Sequence, residues 1–194
     1  ASKQSTFVDY KGKALSSRQR VYWQLRFWDE ADTASTWSDT STFELGLLNN
    51  QDWQAQWIEI DSQQPIELNR FKTPIHIPQY LRTQFTTAKS IKKARLYITA
   101  KGVFEAYING KRIGDDVLTP GYTPYKKRIE TLTYDVTQHI APGNNALAAV
   151  VAEGWYGGRI IKPLPREVLP SELLAQLEIT YADGTTRIIS TDDT

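Results

Sequence analysis

The sequence predicts an all-β protein, and three patterns support this prediction. Segments in which apolar and polar residues alternate recur along the chain, which is the period of a strand with one buried face. Two such segments lead into Asn109-Gly110 and Asp183-Gly184, dipeptides that favour β-hairpin turns. No stretch shows the period of a confident amphipathic helix, and no internal repeat of roughly 20–50 residues occurs. We therefore expect packed antiparallel sheets.

Composition excludes several functional classes. The chain has 194 residues, of which 40% are hydrophobic and 23% charged, as in an ordinary folded protein. A net charge of +1 provides no field to recruit nucleic acid, and apolar runs such as 146–152 are too short to span a membrane. The absence of cysteine excludes disulfides, thiolate metal sites and a cysteine nucleophile, and leaves the compartment undetermined: cytoplasm, periplasm or outside the cell.

The first part of the chain predicts only two strands, over 20–28 and 40–45. The first places Val21, Trp23, Leu25 and Phe27 on one face. With the loop Ser35-Thr-Trp-Ser38, this order resembles the last two strands of a fibronectin type III domain. Such a domain needs about seven strands in roughly 100 residues. We therefore expect residues 1–48 to be the C-terminal part of a fibronectin type III-like domain.

Residues 49–194 predict a second, larger β-sandwich. Alanine and aliphatic residues at 94, 96, 98 and 100 are expected to face its core, while residues 93, 95, 97 and 99 face outward. The apolar run 146–153 predicts a central strand buried on both sides. Two long loops are expected, over 61–78 and 154–170. The predicted strands cover 53–60, 81–86, 91–100, 104–109, 131–136, 146–153, 173–181 and 185–189.

The segment 104–125 is the most informative part of the chain. Phe104, Ala106 and Ile108 form the buried face of a strand, and Asn109-Gly110 supplies the two positive φ angles of a type I′ turn. The loop that follows contains Asp115-Asp116 and the segment Thr-Pro-Gly-Tyr-Thr-Pro-Tyr, 119–125. A rigid loop of this kind on a sheet is a common place for a binding surface. A structural turn packed by its two tyrosines is the alternative.

An ordered set of motifs is shared with a known family. The segment 107–125 is followed by Thr-Tyr-Asp-Val-Thr at 133–137, Pro-Gly-Asn-Asn-Ala at 142–146 and Gly-Trp-Tyr-Gly-Gly at 154–158. Together they resemble the N-terminal, non-catalytic β-sandwich of bacterial α-L-rhamnosidases of glycoside hydrolase family 78, a jelly-roll-like fold. The resemblance implies a parent enzyme that cleaves terminal α-L-rhamnosides with inversion, using carboxylates in a downstream (α/α) barrel of the same polypeptide. It also implies that the sandwich continues beyond residue 194, so we expect the domain to be truncated there.

The residues themselves predict no catalytic centre. His76 and His139 are the two histidines and lie in predicted loops, which offers no Ser-His-Asp triad or zinc site. Inverting hydrolysis needs two carboxyl groups about 6.5–9.5 Å apart. Asp115 and Asp116 are adjacent and would point apart on a strand, and Glu153 is a single carboxylate. We therefore expect this chain alone not to be catalytic.

Sugar binding is the more credible activity, because aromatic rings and carboxylates on two loops suit a pyranose. The resemblance implies that the partners are rhamnose-containing glycans. A packing surface against the catalytic barrel remains the alternative for the same rings. Some relatives carry a calcium-dependent rhamnose-binding module, for which Asp115-Asp116 or Asn144-Asn145 could supply oxygen ligands. Two other functions also stay open: a self-standing lectin-like module and a purely structural interdomain spacer. The predicted ligand-binding residues are Asp115, Asp116, Tyr122, Tyr125, Glu153, Trp155 and Tyr156.

Overall fold

A computed structural model describes residues 6–59, 66–68, 74–157 and 169–192. The chain forms two compact units, Ala1–Asp52 and Trp53–Thr194. Nearly all regular structure within the described ranges is β-strand, which confirms the predicted fold class. No helix in those ranges has the length and apolar character needed to cross a bilayer.

The first unit is built on one antiparallel pair, β1 (Arg20–Trp23) with β2 (Ser41–Glu44). The predicted strand over 20–28 is therefore too long. Beyond Trp23, serine hydroxyls take over the role of a strand partner: the backbone N–H of Leu25 donates to Ser38 Oγ at 3.1 Å, and that of Phe27 donates to Ser35 Oγ at 3.1 Å. These side-chain bonds satisfy the backbone without continuing the ladder.

Two local interactions stabilise this unit. The guanidinium of Arg26 lies over the rings of Trp28 and Trp37, at 4.8 and 4.6 Å from their centroids. The carboxylate of Asp52 accepts hydrogen bonds from Ser17 Oγ at 2.5 Å and from Arg18 Nη1 at 3.1 Å. The bond from Ser17, with further hydrogen bonds from Asn49 and Arg18, lowers the pKa of Asp52 to about 2. Asp52 is therefore ionised near neutral pH and anchors the end of the unit.

The second unit is a sandwich of two antiparallel sheets. In chain order its strands are β3 (Ile58–Glu59), β4 (Ile66–Leu68), β5 (Pro74–His76), β6 (Gln79–Thr87), β7 (Ile91–Lys101), β8 (Val103–Ile108), β9 (Lys111–Ile113), β10 (Leu132–Asp135), β11 (Gly143–Ala152), β12 (Glu172–Tyr181) and β13 (Thr186–Ser190). The four-stranded sheet has the order β6-β11-β8-β9, and the five-stranded sheet has the order β10-β7-β12-β13, with β3 also pairing with β12. A separate two-stranded ladder, β4 with β5, lies within the segment predicted to be one long loop.

The core lies between the two sheets and follows the predicted alternation. On β8, Phe104, Ala106 and Ile108 are buried, and Glu105 between them is exposed. On β7 the predicted set at 94, 96, 98 and 100 is buried in the same core. The apolar residues of β11 and β12 complete it, because each central strand sends every second side chain inward.

The outer face of the five-stranded sheet is also buried, which the sequence did not predict. Arg95, Tyr97 and Thr99 point away from the core, yet all three are buried. The segment 53–57 covers this face: the ring of Trp53 lies edge-on to Tyr97 at 6.4 Å between centroids. Because segment 53–57 lies against the sheet face, it does not form the first part of the strand predicted over 53–60. Within that prediction only β3 is a strand, and it pairs with β12.

Two other predictions need correction. β11 is central, but its burial alternates, so it is not fully buried on both sides. Its outward residues are small; Ala148, for example, lies between Arg82 and Tyr107 on the neighbouring strands and is half-buried. The predicted loop 154–170 begins with one helical turn, α1 (Gly154–Gly157), and its residues 158–168 lie outside the described ranges.

Candidate functional site

The hairpin between β8 and β9 has the predicted type I′ conformation, with φ of 52° at Asn109 and 77° at Gly110. The Asn109 side chain also joins the hairpin to the turn before β11. Its Nδ2 donates to Asn145 Oδ1 at 2.7 Å and to the carbonyl of His139 at 3.0 Å, and its Oδ1 accepts from the N–H of Ala146 at 2.9 Å. Asn109 is thus a structural residue at this position.

Asn145 is the buried partner in this network. Its Nδ2 donates to the carbonyls of Ala141 at 2.8 Å and Gly143 at 2.9 Å, and its Oδ1 accepts from the N–H of Ala141 at 2.8 Å. The side chain is 3% exposed. Because both ends of the amide have protein partners, Asn145 does not fit the role of a calcium ligand suggested by the resemblance.

The aromatic loop after β9 is held at two buried threonines. Two hydrogen bonds join Thr119 to Phe104. The N–H of Phe104 donates to the Thr119 carbonyl at 2.8 Å, and Thr119 Oγ1 donates to the Phe104 carbonyl at 2.5 Å. Thr123 Oγ1 donates to the Arg128 carbonyl at 2.6 Å. These bonds fix the loop at both sides of Tyr122 and Tyr125. Sequence inspection missed both threonines, since nothing in the pattern marks them as buried.

The second aromatic pair lies on α1. Gly154 has a φ of 50°, and a Cβ there would lie 2.5 Å from Val103 Cγ1, so this position requires glycine. The carbonyl of Glu153 accepts the N–H groups of Tyr156 at 3.1 Å and Gly157 at 3.2 Å. The turn thereby presents Trp155 and Tyr156 next to the start of β8.

These two segments meet, and four predicted site residues form one group of rings, hereafter the aromatic cluster: Tyr122, Tyr125, Trp155 and Tyr156. The ring of Tyr122 lies 6.5 Å from Trp155 and 6.2 Å from Tyr125, and Tyr125 lies 5.3 Å from Tyr156, all edge to face. Tyr122 is 68% exposed and the other three are half-buried. Burial raises the pKa of Tyr125, so its hydroxyl stays protonated and donates to the Gly121 carbonyl at 3.3 Å.

The predicted carboxylates have their own surroundings. Asp116 Oδ2 accepts from the Tyr134 hydroxyl at 3.4 Å, and the Asp116 carbonyl accepts from Arg112. Burial, together with the Asp116 charge, raises the pKa of Tyr134 to about 12. Asp115 is exposed beside Asp116, and Glu153 is half-buried ahead of α1. The structure thus brings the four rings together and places Asp116 against Tyr134 at the end of the hairpin.

Candidates for metal binding or catalysis are sparse. Within the described ranges no group of three or more His, Asp or Glu side chains is arranged to share a metal ion. The carbonyl of His139 accepts from Asn109, and the His139 Nδ1 is buried without a hydrogen-bond partner. The side chain of His76 lies outside what the structure describes.

An apolar cleft of about 250 Å³ opens between the two sheets, beside their edge strands β6 and β13. Leu81, Leu147 and Ile189 are among its lining residues, with Arg82 and Asp192 among the polar ones. Among the residues that the structure describes, no aromatic side chain lines this cleft, and its apolar walls are an extension of the core. The aromatic cluster therefore remains the better candidate for sugar contact.

Comparison with known proteins identifies the family. A family model described as the α-L-rhamnosidase N-terminal domain matches residues 89–194, more than half of the chain. The chain belongs to this family. A second model, the Rha78A-like N-terminal immunoglobulin domain, matches residues 1–49. Both matches confirm the predicted resemblance to the N-terminal region of a rhamnosidase.

Curated relatives carry the name α-L-rhamnosidase. One from Alteromonas sp. (strain LOR) is 52% identical over 97% of this chain, and one from Formosa agariphila is 49% identical over all of it. The chain spans only 20% and 21% of their respective lengths, about a fifth. It therefore corresponds to the non-catalytic N-terminal region of these longer proteins.

Solved structures agree with this placement. The α-L-rhamnosidase of Aspergillus terreus superimposes with a TM-score of 0.83 and 36% identity over 98% of this chain and 22% of its own. That of Dictyoglumus thermophilum gives a TM-score of 0.79 and 36% identity over 96% and 21%, respectively. The fold of both units is thus that of the corresponding rhamnosidase region.

Proposed function

We propose that this chain is the accessory β-sandwich portion of an α-L-rhamnosidase and that its aromatic cluster contacts rhamnose-containing glycans. The parent polypeptide hydrolyses terminal α-L-rhamnosides with inversion. Its catalytic carboxylates belong to an (α/α) barrel elsewhere in the same polypeptide. The observation that carries the binding proposal is the meeting of four predicted aromatic residues from two separate loops.

The geometry of the aromatic cluster suits a sugar. A pyranose presents C–H groups on one face, and an exposed aromatic ring packs against them. Tyr122 supplies that ring, and its edge-to-face contacts with Tyr125 and Trp155 fix its orientation in advance. Such preorganisation reduces the entropy lost on binding. We assign hydrogen bonding of the sugar hydroxyls to Glu153, which directly precedes α1, and keep Asp115 and Asp116 as predicted ligand residues, of which Asp116 also accepts a hydrogen bond from Tyr134.

The domain organisation supports an accessory role. We propose that residues 1–48 form part of an immunoglobulin-like or fibronectin type III-like domain and that residues 49–194 form the jelly-roll-like sandwich. The first described unit contains no buried side chain in residues 6–52, whereas the second has an extensive core. A small unit without a core of its own depends on further protein contacts for stability. This organisation favours a part of a larger enzyme over a self-standing lectin-like module.

A second function is favoured by one observation. Trp155, Tyr125 and Tyr156 are only half-exposed; Tyr125 packs on Tyr156, and Trp155 packs on Tyr122, as expected of a surface that completes an interface. In this alternative the aromatic cluster packs against the catalytic barrel and the chain is a structural spacer. The two functions differ in whether the isolated chain has any affinity for sugar.

Isothermal titration of the 194-residue chain with L-rhamnose, with and without millimolar calcium, tests the proposal. Saturable heat that Tyr122→Ala abolishes is expected. The matched control is Tyr80→Ala, because Tyr80 is 82% exposed but lies on β6, outside the aromatic cluster. Heat that stays flat with a folded chain would reject sugar binding and leave the packing function. A melting temperature unchanged by calcium or by chelator would reject Asp115-Asp116 as a calcium site.

A further inference from the structure

We propose that Asn109-Gly110 is a site of spontaneous deamidation and that the contact between Asn109 and Asn145 sets the rate of this modification. The backbone nitrogen of Gly110 loses its proton and bonds to Asn109 Cγ, the bond from Cγ to Nδ2 breaks, and ammonia leaves with that proton. Water then opens the cyclic imide at either carbonyl and gives aspartate or isoaspartate. Water is the co-reactant, and nothing is oxidised or reduced. The reaction is independent of sugar binding.

The attacking nitrogen belongs to Gly110 and is unhindered. Asn109 is the only asparagine of the sequence that precedes a glycine. A Cβ placed on Gly110 would meet no atom within 4 Å, so no neighbouring group shields this part of the turn. Within the described part of the chain, the N–H of Gly110 donates no hydrogen bond. Both residues are exposed, so water and hydroxide reach them.

The side chain under attack, in contrast, is held by three hydrogen bonds. Nδ2 of Asn109 donates to Asn145 Oδ1 at 2.7 Å and to the His139 carbonyl at 3.0 Å, and Oδ1 accepts the N–H of Ala146 at 2.9 Å. Ammonia leaves only after Nδ2 has gained a proton, and two oxygens that donate none face this nitrogen. Attack also makes Cγ tetrahedral, which moves Nδ2 and Oδ1 away from their partners. The folded turn is therefore expected to react during local opening.

Asn145 is the fixed member of this contact. Its side chain is 3% exposed, and its amide is bonded to Ala141 and Gly143. Asn145 can therefore neither follow Asn109 outward nor turn its amide over without breaking those bonds. The other two partners of the Asn109 side chain are backbone groups, which remain when a side chain is replaced. Asn145 is thus the side chain that controls the opening.

Deamidation removes the donor from this contact. A carboxylate at position 109 still accepts the N–H of Ala146, but it has no hydrogen for Asn145 Oδ1 or for the His139 carbonyl. Because Asn145 cannot present its Nδ2 instead, oxygen faces oxygen at both places. Isoaspartate has a larger effect, since it lengthens the main chain of a two-residue turn. The β8–β9 hairpin should then separate from the turn before β11.

The test follows the tryptic peptide 102–111 by mass spectrometry while the 194-residue chain is incubated in mildly alkaline buffer. Asn109 is the one asparagine of this peptide, and replacement of its NH₂ by OH raises the peptide mass. The same chain in concentrated urea gives the rate without protection. We expect the folded chain to react at least roughly ten-fold more slowly, which corresponds to an opening free energy of about 1.4 kcal/mol or more.

The deciding variant is Asn145→Ala, in which the folded chain should deamidate roughly ten-fold faster than the unmodified sequence. This variant also destabilises the sandwich, so its matched control is Trp53→Ala. That substitution removes cover from Tyr97 on the outer face of the five-stranded sheet and leaves all three bonds of the Asn109 side chain in place. The control should deamidate at the unmodified rate. A second variant, Asn109→Asp, carries the carboxylate of the product and should have a lower melting temperature.

Four outcomes would overturn the proposal. Equal rates in buffer and in urea would show that the folded turn does not protect Asn109. An unchanged rate in folded Asn145→Ala would remove Asn145 from control of the opening. Equal acceleration by Trp53→Ala would show that global unfolding, and not opening of this contact, sets the rate. A melting temperature of Asn109→Asp equal to that of the unmodified chain would contradict the effect of the product, and this measurement decides even if Asn145→Ala does not fold.

Discussion

Replacing Asn145 with alanine removes the side chain that joins the turn before β11 to the β8–β9 hairpin. Four short hydrogen bonds are lost, to Ala141, Gly143 and Asn109, at 2.7–2.9 Å. Each such bond contributes about 1 kcal/mol net, but Ala141 is exposed, so water replaces part of what is lost. We expect the free energy of unfolding of the sandwich to fall by about 2–4 kcal/mol.

Asn145→Asp distinguishes hydrogen bonding from packing. Aspartate has nearly the same size but turns a donor toward the carbonyls of Ala141 and Gly143 into an acceptor when it is ionised. Its carboxyl, buried beside two carbonyl oxygens, is expected to have a raised pKa. The folded state then retains the proton more strongly than the unfolded state, so the stability of this variant should decline as the pH rises from 4 to 7.

Urea denaturation followed by circular dichroism measures these changes, and amide hydrogen exchange in β11 assigns them to the second unit. The matched control is Asn144→Ala, because Asn144 is exposed and accepts a single bond, from Thr86 Oγ1 at 3.1 Å. It should cost less than about 0.5 kcal/mol. A loss no larger for Asn145→Ala than for this control would refute the structural role assigned to Asn145.

Three further predictions concern other parts of the sandwich. Gly154→Ala should distort α1, because the new Cβ would collide with Val103 Cγ1. The Tyr122–Trp155 ring contact should then be lost, which a red shift of Trp155 fluorescence would report; an unchanged spectrum would contradict this prediction. Trp53→Ala should expose Tyr97, which is 1% exposed in the folded chain, and lower the free energy of unfolding by about 2 kcal/mol. If urea denaturation shows that the free energy of unfolding falls by less than about 0.5 kcal/mol, packing of segment 53–57 on this sheet face does not stabilise the sandwich. Tyr134 should ionise near pH 12 in the folded chain when absorbance at 295 nm is followed, and a midpoint near 10 would reject the assignment. Because the folded pKa of Tyr134 lies above its unfolded value of 10.0, the stability that this residue contributes is present below pH 10 and lost between pH 10 and 12.

Local sequence predicted the hairpins and the main strands well. Asn109-Gly110 predicted its turn because few residues other than Asn and Gly adopt two successive positive φ angles at low cost. The alternation on β8 predicted which side chains enter the core, since successive side chains of a strand point to opposite faces of the sheet. Catalytic and metal-binding residues are harder to predict, because such sites require several side chains to meet in space. The sequence offered only single candidates such as Glu153 and His139.

Local sequence failed where segments far apart in the chain meet. Tyr97 alternates like a surface residue, yet it is buried because Trp53 and its neighbours cover that face of the sheet. Gln176, also on that face, is buried and accepts the N–H groups of Gln54 and Ala55 at 2.6 and 3.2 Å, from a segment more than 100 residues away in the chain. A periodicity argument sees only neighbours in sequence, so it reports which face a side chain occupies and not what covers that face.

The candidate site also combines local features, which the sequence predicts, with long-range contacts, which it does not. The sequence by itself determined that Tyr122 and Tyr125 lie on one turn-rich loop and that Trp155 and Tyr156 follow a glycine at the end of a strand. Only the tertiary structure decided that the two pairs meet, through ring contacts between segments about thirty residues apart, and that Asp116 instead lies against Tyr134. The physical reason is that turn conformation depends on a few adjacent residues, whereas ring-to-ring contact depends on the register of every strand between them.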